Sequence, residues 1–374
     1  QPRNGAPTTS DAYVSQLRSD PYAANLVLAV PGISTSTSAT ILSNGHFDSN
    51  TTGWTVGTAT GTLVAANGEL EIQRVSTNGT FCYQQITTEA GKRYTVSFDT
   101  RSSQSGSSYI TKFSVGTSIN STDLLSRIDT DSTTMVHHTA SFTATGTTAY
   151  VTLGSNYTAN SFWDNIVVKQ EDAPRDYSAD IKGSGTNKTF TPNGAAGVGY
   201  ETGGYYGSSM KFDGTGDYIR TTSNLSDFHF GSGDFTIEAW TWKDANGSSG
   251  YDGLISLGTN GNANDGFFFE VSATRGYFFG SNSQFISYNS SSNTSQWNHV
   301  VAERYNGRST IYLNGVAVAT GTNVGSIPTN GTVLDIGGYA IGAGNYYYNG
   351  YIQDLRVYKG VAKYKGGFDV PKPY

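Results

Sequence analysis

The stretch Phe235-Thr-Ile-Glu-Ala-Trp-Thr-Trp242 reads as a strict alternation of side-chain types, the period of two that belongs to a β-strand with two different faces. Moving outward, the same style repeats. Trp297-Asn-His-Val-Val-Ala-Glu-Arg304, the turn Asn306-Gly307 and Ser309-Thr-Ile-Tyr-Leu313 read as a hairpin, and Asn314-Gly315 turns the chain again into Val316-Ala-Val-Ala319. Thr332-Val-Leu-Asp-Ile336 and Gly350-Tyr-Ile-Gln-Asp-Leu-Arg-Val-Tyr358 supply later strands, and Met210-Lys-Phe-Asp-Gly-Thr-Gly-Asp-Tyr-Ile219 reads as strand, turn, strand. No long helical pattern appears, and Val361–Tyr364 reads as at most one helical turn.

Toward the N-terminus a second group of strands forms a complete module between Ile41 and Lys169. It includes Thr62–Ala65, the turn Asn67-Gly68, Leu70–Val75, Phe81–Ile86, Tyr94–Asp99, Thr111–Val115, Thr148–Leu153 and Phe162–Val168. Before it stands Asp20-Pro-Tyr-Ala-Ala-Asn-Leu-Val-Leu-Ala-Val-Pro31, an apolar run suited to a buried strand, whose continuation appears only at Asp176-Tyr-Ser-Ala-Asp-Ile-Lys-Gly183. One domain is therefore threaded into a loop of another, an arrangement tolerated where the guest's ends lie close together. The reading divides the chain into an N-terminal arm (1–19), a discontinuous domain (20–35 and 174–374) and an inserted domain (36–173), with a Ser/Thr linker at Ser34–Ser38. The arm is either frayed or a tether packed on a neighbouring subunit.

Composition agrees with an all-β class. The 374 residues include 46 Gly and 25 Tyr but 2 Met, and only 14% are charged. A net charge of −6 argues against a nucleic-acid partner, which needs a basic footprint. No apolar run is long enough to insert in a membrane, and no leader peptide is visible at Gln1. The single cysteine, Cys82, excludes an intrachain disulfide framework and reads as a small buried hydrophobe.

Two resemblances organise these observations. The discontinuous domain resembles the laminin-G-like, concanavalin-A-type jelly roll, on Gly207–Ile219, Gly233–Trp240, Gln296–Val301, Ile311–Gly315 and Asn349–Tyr358, taken in that order. Tyr358–Tyr364 and Asp20–Val30 with Ile181–Gly185 look like versions carried by tailed phages of marine bacteria and cyanobacteria. The inserted domain resembles the carbohydrate-binding modules that accompany xylanases and β-glucanases, on Leu42–Asp48 with Gly53-Trp54, Ala90–Phe98 and Phe162–Val168. The fold expected is two antiparallel jelly-roll β-sandwiches, one inserted into a loop of the other, plus the N-terminal arm.

The resemblance to the modules implies a structural calcium ion held by Asn44, Asp48 and Asp164, with Asp48 standing where the family usually has Glu. Turn-capping carboxylates are the alternative for Asp48 and Asp164. In the other domain Asp213, Asp217 and Asp354 read as turn and strand-end hydrogen-bonding groups. His137 and His138, adjacent on a strand, point to opposite faces and cannot clamp one metal.

Glycan binding needs exposed aromatic platforms beside polar partners, since pyranose rings have apolar faces and hydroxyl rims. The residues singled out are Trp54, Tyr83, Tyr109 and Phe113 in the insert and Tyr346, Tyr347 and Tyr348 in the discontinuous domain. Trp54 has core as its first reading. Three consecutive tyrosines cannot all face one core. Tyr205 and Tyr206 make the same case more weakly, and Trp240 and Trp297 read as core.

Catalysis would need a carboxylate pair or a nucleophile with its base. Glu238 and Glu303 look isolated, Glu69 and Glu71 are two apart on one face but sit beside a turn in the module, and no Gly-x-Ser-x-Gly elbow exists. The sequence reading is a non-enzymatic virion surface protein (a capsid decoration, appendage or tail-fibre subunit) binding host-envelope or environmental polysaccharide weakly and multivalently as a homo-oligomer, with residues 1–19 contacting other subunits. Its alternatives are a purely structural coat or cement protein without a glycan ligand, and a secreted adhesin or enzyme accessory of the extracellular space or bacterial surface.

Overall fold

The computed structural model of the chain describes residues 10–33, 40–57, 61–73, 79–155, 159–171, 174–181, 183–194, 196–199, 208–244, 252–259, 262–272, 276–281, 284–290, 294–339 and 346–370. Residues 1–9, the 34–38 linker, Tyr205 and Tyr206 lie outside them. Contacts divide the chain into two compact units, residues 1–35 with 172–374 and residues 36–171.

The discontinuous unit opens with α1 (Ser10–Leu17) and β1 (Leu26–Val30). The inserted unit follows with β2 (Thr55–Val56), β3 (Thr62–Ala66), β4 (Glu69–Gln73), β5 (Thr80–Thr87), β6 (Arg93–Ser102), β7 (Thr111–Gly116), β8 (Leu125–Thr130), β9 (Val136–Thr143), β10 (Thr148–Ser155) and β11 (Ser161–Gln170). These form two antiparallel sheets, β2-β5-β10-β7-β8 and β3-β4-β11-β6-β9. Alternate residues face inward, so Phe98 stacks on Phe113 at 4.1 Å between ring centres and Trp163 packs against Phe98 at 5.7 Å. Truncating such a ring to Ala costs about 3–5 kcal/mol. His138 lies inward against Phe98 while His137 points outward to Asp99, as the period of two requires.

The discontinuous unit resumes with β12 (Thr191–Asn193), β13 (Gly197–Gly199), β14 (Ser209–Asp213), β15 (Tyr218–Thr221), β16 (Phe235–Lys243), β17 (Gly253–Thr259), β18 (Asn262–Ser272), β19 (Gly276–Ser281), β20 (Gln284–Tyr288), β21 (Trp297–Tyr305), β22 (Arg308–Leu313), β23 (Val316–Gly321), β24 (Val333–Ile336) and β25 (Asn349–Lys359). One sheet runs β13-β14-β25-β16-β21-β22-β23, with β1 also pairing β25. The other runs β12-β15-β24-β17-β18-β19-β20. Phe235, Ile237 and Ala239 face the core between them, whereas Trp240 sits on the opposite face of β16 under α1. The Asn306-Gly307 and Asn314-Gly315 turns have positive φ at both positions, which is why Asn-Gly occupies them.

Residues 20–31 belong with a strand more than 300 positions away. Leu26, Ala29 and Val30 pair with Tyr358, Arg356 and Leu355 of β25, while β14 pairs with the first half of β25 through Met210 and Ile352. The chain on either side of the insert is joined by Asp176, whose Oδ1 accepts from the Ala29 and Ser178 amides at 3.0 Å each. Lys188 adds a bond from Nζ to the Val27 carbonyl at 2.6 Å.

Two expectations need correction. The described part of the N-terminal segment is not frayed, because Tyr13 and Leu17 are buried against this same unit beside Ile181 and Tyr358. Residues 361–364 form no helical turn; they run as a strap over the outer face of the β25 sheet, pinned by Lys363 and Tyr364.

Candidate functional site

The outer face of the β24 sheet carries one continuous cross-strand row. Arg220 pairs with Asp335, Asp335 with Ser256, Ser256 with Phe268, Phe268 with Gly280 and Gly280 with Phe285. Side chains opposite one another in register are close enough to act together. The row is charged at one end and aromatic at the other.

At the charged end the Arg220 guanidinium grips Asp335 through two bonds of 2.7 Å. The hydrogen bond to Asp335 raises the Arg220 pKa against the opposing effect of burial. Arg220 also lies over the Tyr218 ring at 4.8 Å, and Tyr218 stacks on Tyr347 at 6.2 Å with 15° between planes. The pair is thus bordered by two half-buried rings.

At the aromatic end Phe285 is 47% exposed. Gly280 makes room there, since a Cβ at that position would meet Phe268 Cζ at 2.6 Å and Phe285 Cβ at 2.7 Å. Phe278 packs on Phe285 at 5.9 Å, and Tyr339 lies between Phe268 (5.5 Å) and Tyr346 (5.3 Å). Beneath Tyr339, burial pushes the Glu270 carboxyl up to about 7 despite the hydrogen bond from the Tyr339 hydroxyl. What this face exposes is ring surface with the half-buried Arg220 at one end, while Asp335, Ser256 and Glu270 are buried beneath it; rings beside a cation suit a ligand that has both apolar faces and hydroxyl rims.

The sequence candidates distribute unevenly. Tyr346 and Tyr347 are half-buried at this face, while Tyr348 is sealed in the core, its ring 4.3 Å from Lys243 Nζ. Trp54 and Phe113 are also buried, Trp54 against Phe47 with its Nε1 donating to the Asn44 carbonyl at 3.1 Å. Sealed rings offer no stacking surface, so Trp54, Phe113 and Tyr348 are structural. Tyr83 and Tyr109 are half-buried in the inserted unit, with Tyr83 edge-on to Tyr150 at 6.1 Å. Arg220, Asp335, Phe268 and Phe285 were not singled out by sequence; only cross-strand register brings them into one row.

Two of the three residues implied for calcium, Asn44 and Asp164, are hydrogen-bonded within the inserted unit. The Asn44 amide nitrogen donates to the Asn50 and Thr52 carbonyls at 2.9 and 3.1 Å, and Asp164 accepts from the Asn165 amide and side chain at 2.7 and 3.0 Å. Asp48 is exposed. Among the described residues no group of three or more His, Cys, Asp and Glu side chains is arranged to hold a metal ion. Asp213 and Asp217 cap the turn they flank, but Asp354 lies within β25, buried and paired with Arg356.

Glu238 and Glu303 are not isolated in space. Both lie on the outer face of the β25 sheet, on neighbouring strands, 1% and 2% exposed. Glu238 meets Lys363 Nζ at 2.9 Å and Arg356 at 3.4 Å and accepts from the Tyr364 hydroxyl; Glu303 accepts from the Tyr364 and Lys365 amides at 2.7 and 2.8 Å. Placed this way, both carboxylates fasten the strap over the sheet.

Comparison with known proteins places residues 213–363, less than half of the chain, as a match to the family described as the concanavalin A-like lectin/glucanases superfamily. The search of curated proteins gave no match. Among solved structures, domain 4 of an extracellular GH43 arabinanase from Geobacillus stearothermophilus, in complex with arabinotriose, is similar at 19% identity and a TM-score of 0.35, over 46% of this chain and 82% of that one. The N-terminal cellulose-binding domain of a Cellulomonas fimi β-1,4-glucanase is similar at 18% identity and a TM-score of 0.30, over 36% of this chain and 99% of that one. A mutant NanB sialidase from Streptococcus pneumoniae gives 17% identity and a TM-score of 0.35, over 41% of this chain and 26% of that one.

Proposed function

We propose that this chain is a glycan-binding protein without catalytic activity, and that its discontinuous unit holds a saccharide against the outer face of the β24 sheet. The observation that carries this reading is the in-register row from Arg220 and Asp335 through Ser256 and Phe268 to the exposed ring of Phe285. Phe268 and Phe285 stack on the apolar faces of sugar rings, while Arg220, held in place by buried Asp335, meets hydroxyls. The match of residues 213–363 to a superfamily that includes lectins supports the same reading. Glu238 and Glu303, buried under the strap, support binding over hydrolysis.

A row whose exposed rings are interrupted by the buried Ser256 and Asp335 gives weak single-site affinity, which repetition on a multivalent surface converts into avidity. The setting we propose is the surface of a virion, carried by the resemblance of residues 20–30, 181–185 and 358–364 to phage versions of the domain. The test is binding of the full chain to a glycan array and to isolated envelope polysaccharides. Saturable binding that weakens in Tyr347→Ala and Phe285→Ala is the expected result. A folded sample that binds nothing, or whose binding ignores both changes, overturns the reading.

A further inference from the structure

Lys243 and Asp252 form a buried pair that the glycan row does not use. Lys243 is the last residue of β16, in the β25 sheet, and Asp252 immediately precedes β17, in the β24 sheet. Lys243 Nζ lies 3.0 Å from Asp252 Oδ1, and both side chains are 1% exposed. The backbone on each side is fixed. The Lys243 carbonyl accepts from the Ser295 amide at 2.8 Å, and the Asp252 carbonyl accepts from the Val271 amide at 3.0 Å. The buried Tyr348 ring lies 4.3 Å from Nζ.

An ammonium is poorly served in this place. It has several N–H donors to satisfy, yet among the described residues Nζ has no aligned hydrogen-bond acceptor, so its approach to Asp252 is a contact without the geometry of a hydrogen bond. Burial pushes the ammonium down, against the pull of Asp252. Asp244, the other carboxylate near it, accepts from Trp242 Nε1 at 3.2 Å. In a dry site, passing a proton from the ammonium to the carboxylate removes two buried charges at once. That leaves a neutral amine, which is a nucleophile, against a carboxylic acid whose Cγ is one bond beyond the contacting oxygen. Fixed proximity of this kind replaces a bimolecular encounter and lowers the barrier to reaction.

We infer that Lys243 and Asp252 are a self-modification site, joined in the folded protein by an intramolecular amide bond. Nζ attacks Asp252 Cγ, the C–N bond forms, and the bond from Cγ to the hydroxyl oxygen breaks. A proton from Nζ goes to the departing hydroxyl and one water leaves. Nothing is oxidised or reduced, and no co-reactant is consumed. The amide puts one neutral group where two charges were buried, and it staples the two sheets of the discontinuous unit together. The bond is independent of the glycan row, so either can fail alone.

The experiment is mass spectrometry of the full chain, denatured after incubation in the folded state. The parent should be one water lighter than its sequence. Trypsin should fail to cut after Lys243 and should release residues 221–275 as a single looped peptide carrying that deficit. Fragmentation of this peptide places the cross-link without any variant. Lys243→Arg keeps the positive charge but has no primary amine to condense, so it should return to the full mass and be cut at position 243. Asp252→Ala should return to the full mass as well. Cyclisation of Gln1 removes ammonia from parent and variants alike and so cancels in the comparison. A parent at the full mass of its sequence overturns the inference and leaves a buried ion pair. A missing water that persists in Lys243→Arg or Asp252→Ala also overturns it, because the dehydration then lies elsewhere, as in a succinimide.

Discussion

The Tyr13 hydroxyl donates to Asp354 Oδ1 at 2.8 Å across 341 positions of sequence, seating α1 on the outer face of the β25 sheet. Both groups are buried, and Asp354 is also held by Arg356. Tyr13→Phe keeps the ring and removes one bond to a charged acceptor, so a loss of about 1.5–3 kcal/mol is expected. Removing residues 1–19 also exposes Ile181 and Tyr358 and should cost more. Urea unfolding of the three proteins measures this; an arm that served only neighbouring subunits would leave the midpoint where it is.

Beneath the same helix and the strap, Glu238 is the hinge of a buried charge network. Burial pushes its carboxyl up, but Lys363, Arg356 and His299 outweigh that and hold it well below the usual range. A depressed folded pKa gives stability that is present above the unfolded value of about 4.5 and lost as pH falls through the folded value. The discontinuous unit should therefore weaken in acid below about pH 4.5, and Glu238→Gln should flatten that dependence. The same change should cost about 3–5 kcal/mol at pH 7, because it leaves buried cations short of a partner. Chemical unfolding between pH 2 and 7 checks both halves.

Glu270 has the opposite sign. Its carboxyl is raised to about 7 by burial, so between the unfolded value and 7 the folded state holds the extra proton. Stability falls as pH rises through that window, by roughly 3 kcal/mol in all. Glu270→Gln retains an acceptor for the Tyr339 hydroxyl and cannot ionise. It should be near neutral at pH 5 and stabilising at pH 8, a crossover that thermal melts at the two pH values would show.

The strands legible from sequence are those with a clear period and a turn residue beside them. Thr148–Leu153, Phe162–Val168 and the two Asn-Gly hairpins around Ser309–Leu313 appear in the structure within two residues of the reading. The run from Gly253 to Tyr288, which holds four strands of the β24 sheet, carries no clean strand period. Its register shifts at Gly253–Ile255 and Leu257–Thr259 break the period of two, and Phe267, Phe268 and Phe269 hide which ring faces the core. The candidate row lies in that run, so its aromatic end was invisible until register was known. Glu238 and Glu303 looked unrelated for a similar reason, because a contact between neighbouring strands leaves no spacing in sequence.

Cys82 is fully buried in the insert's core, and burial pushes its thiol up, away from the reactive thiolate. A water-soluble thiol reagent should label it only as the inserted unit unfolds. Labelling rate against denaturant then reports that unit alone, since the chain has 1 cysteine. Fast labelling of the native protein would contradict this packing.

Phe285 separates binding from stability most cleanly. Its ring is 47% exposed, so truncation removes little buried area and Phe285→Ala should shift stability by about 0.5 kcal/mol or less. Phe268 is half-buried between Tyr339 and the floor left by Gly280, so its truncation should cost more. If sugar rings stack along the row, both changes weaken glycan binding by at least about tenfold, the effect of losing an aromatic anchor. Only Phe268→Ala should also lower the melting temperature. A Phe285→Ala protein that melts like the parent and binds glycan with unchanged affinity would remove the aromatic end of the row from the site and leave the Tyr218, Tyr347 and Arg220 end to account for any binding observed.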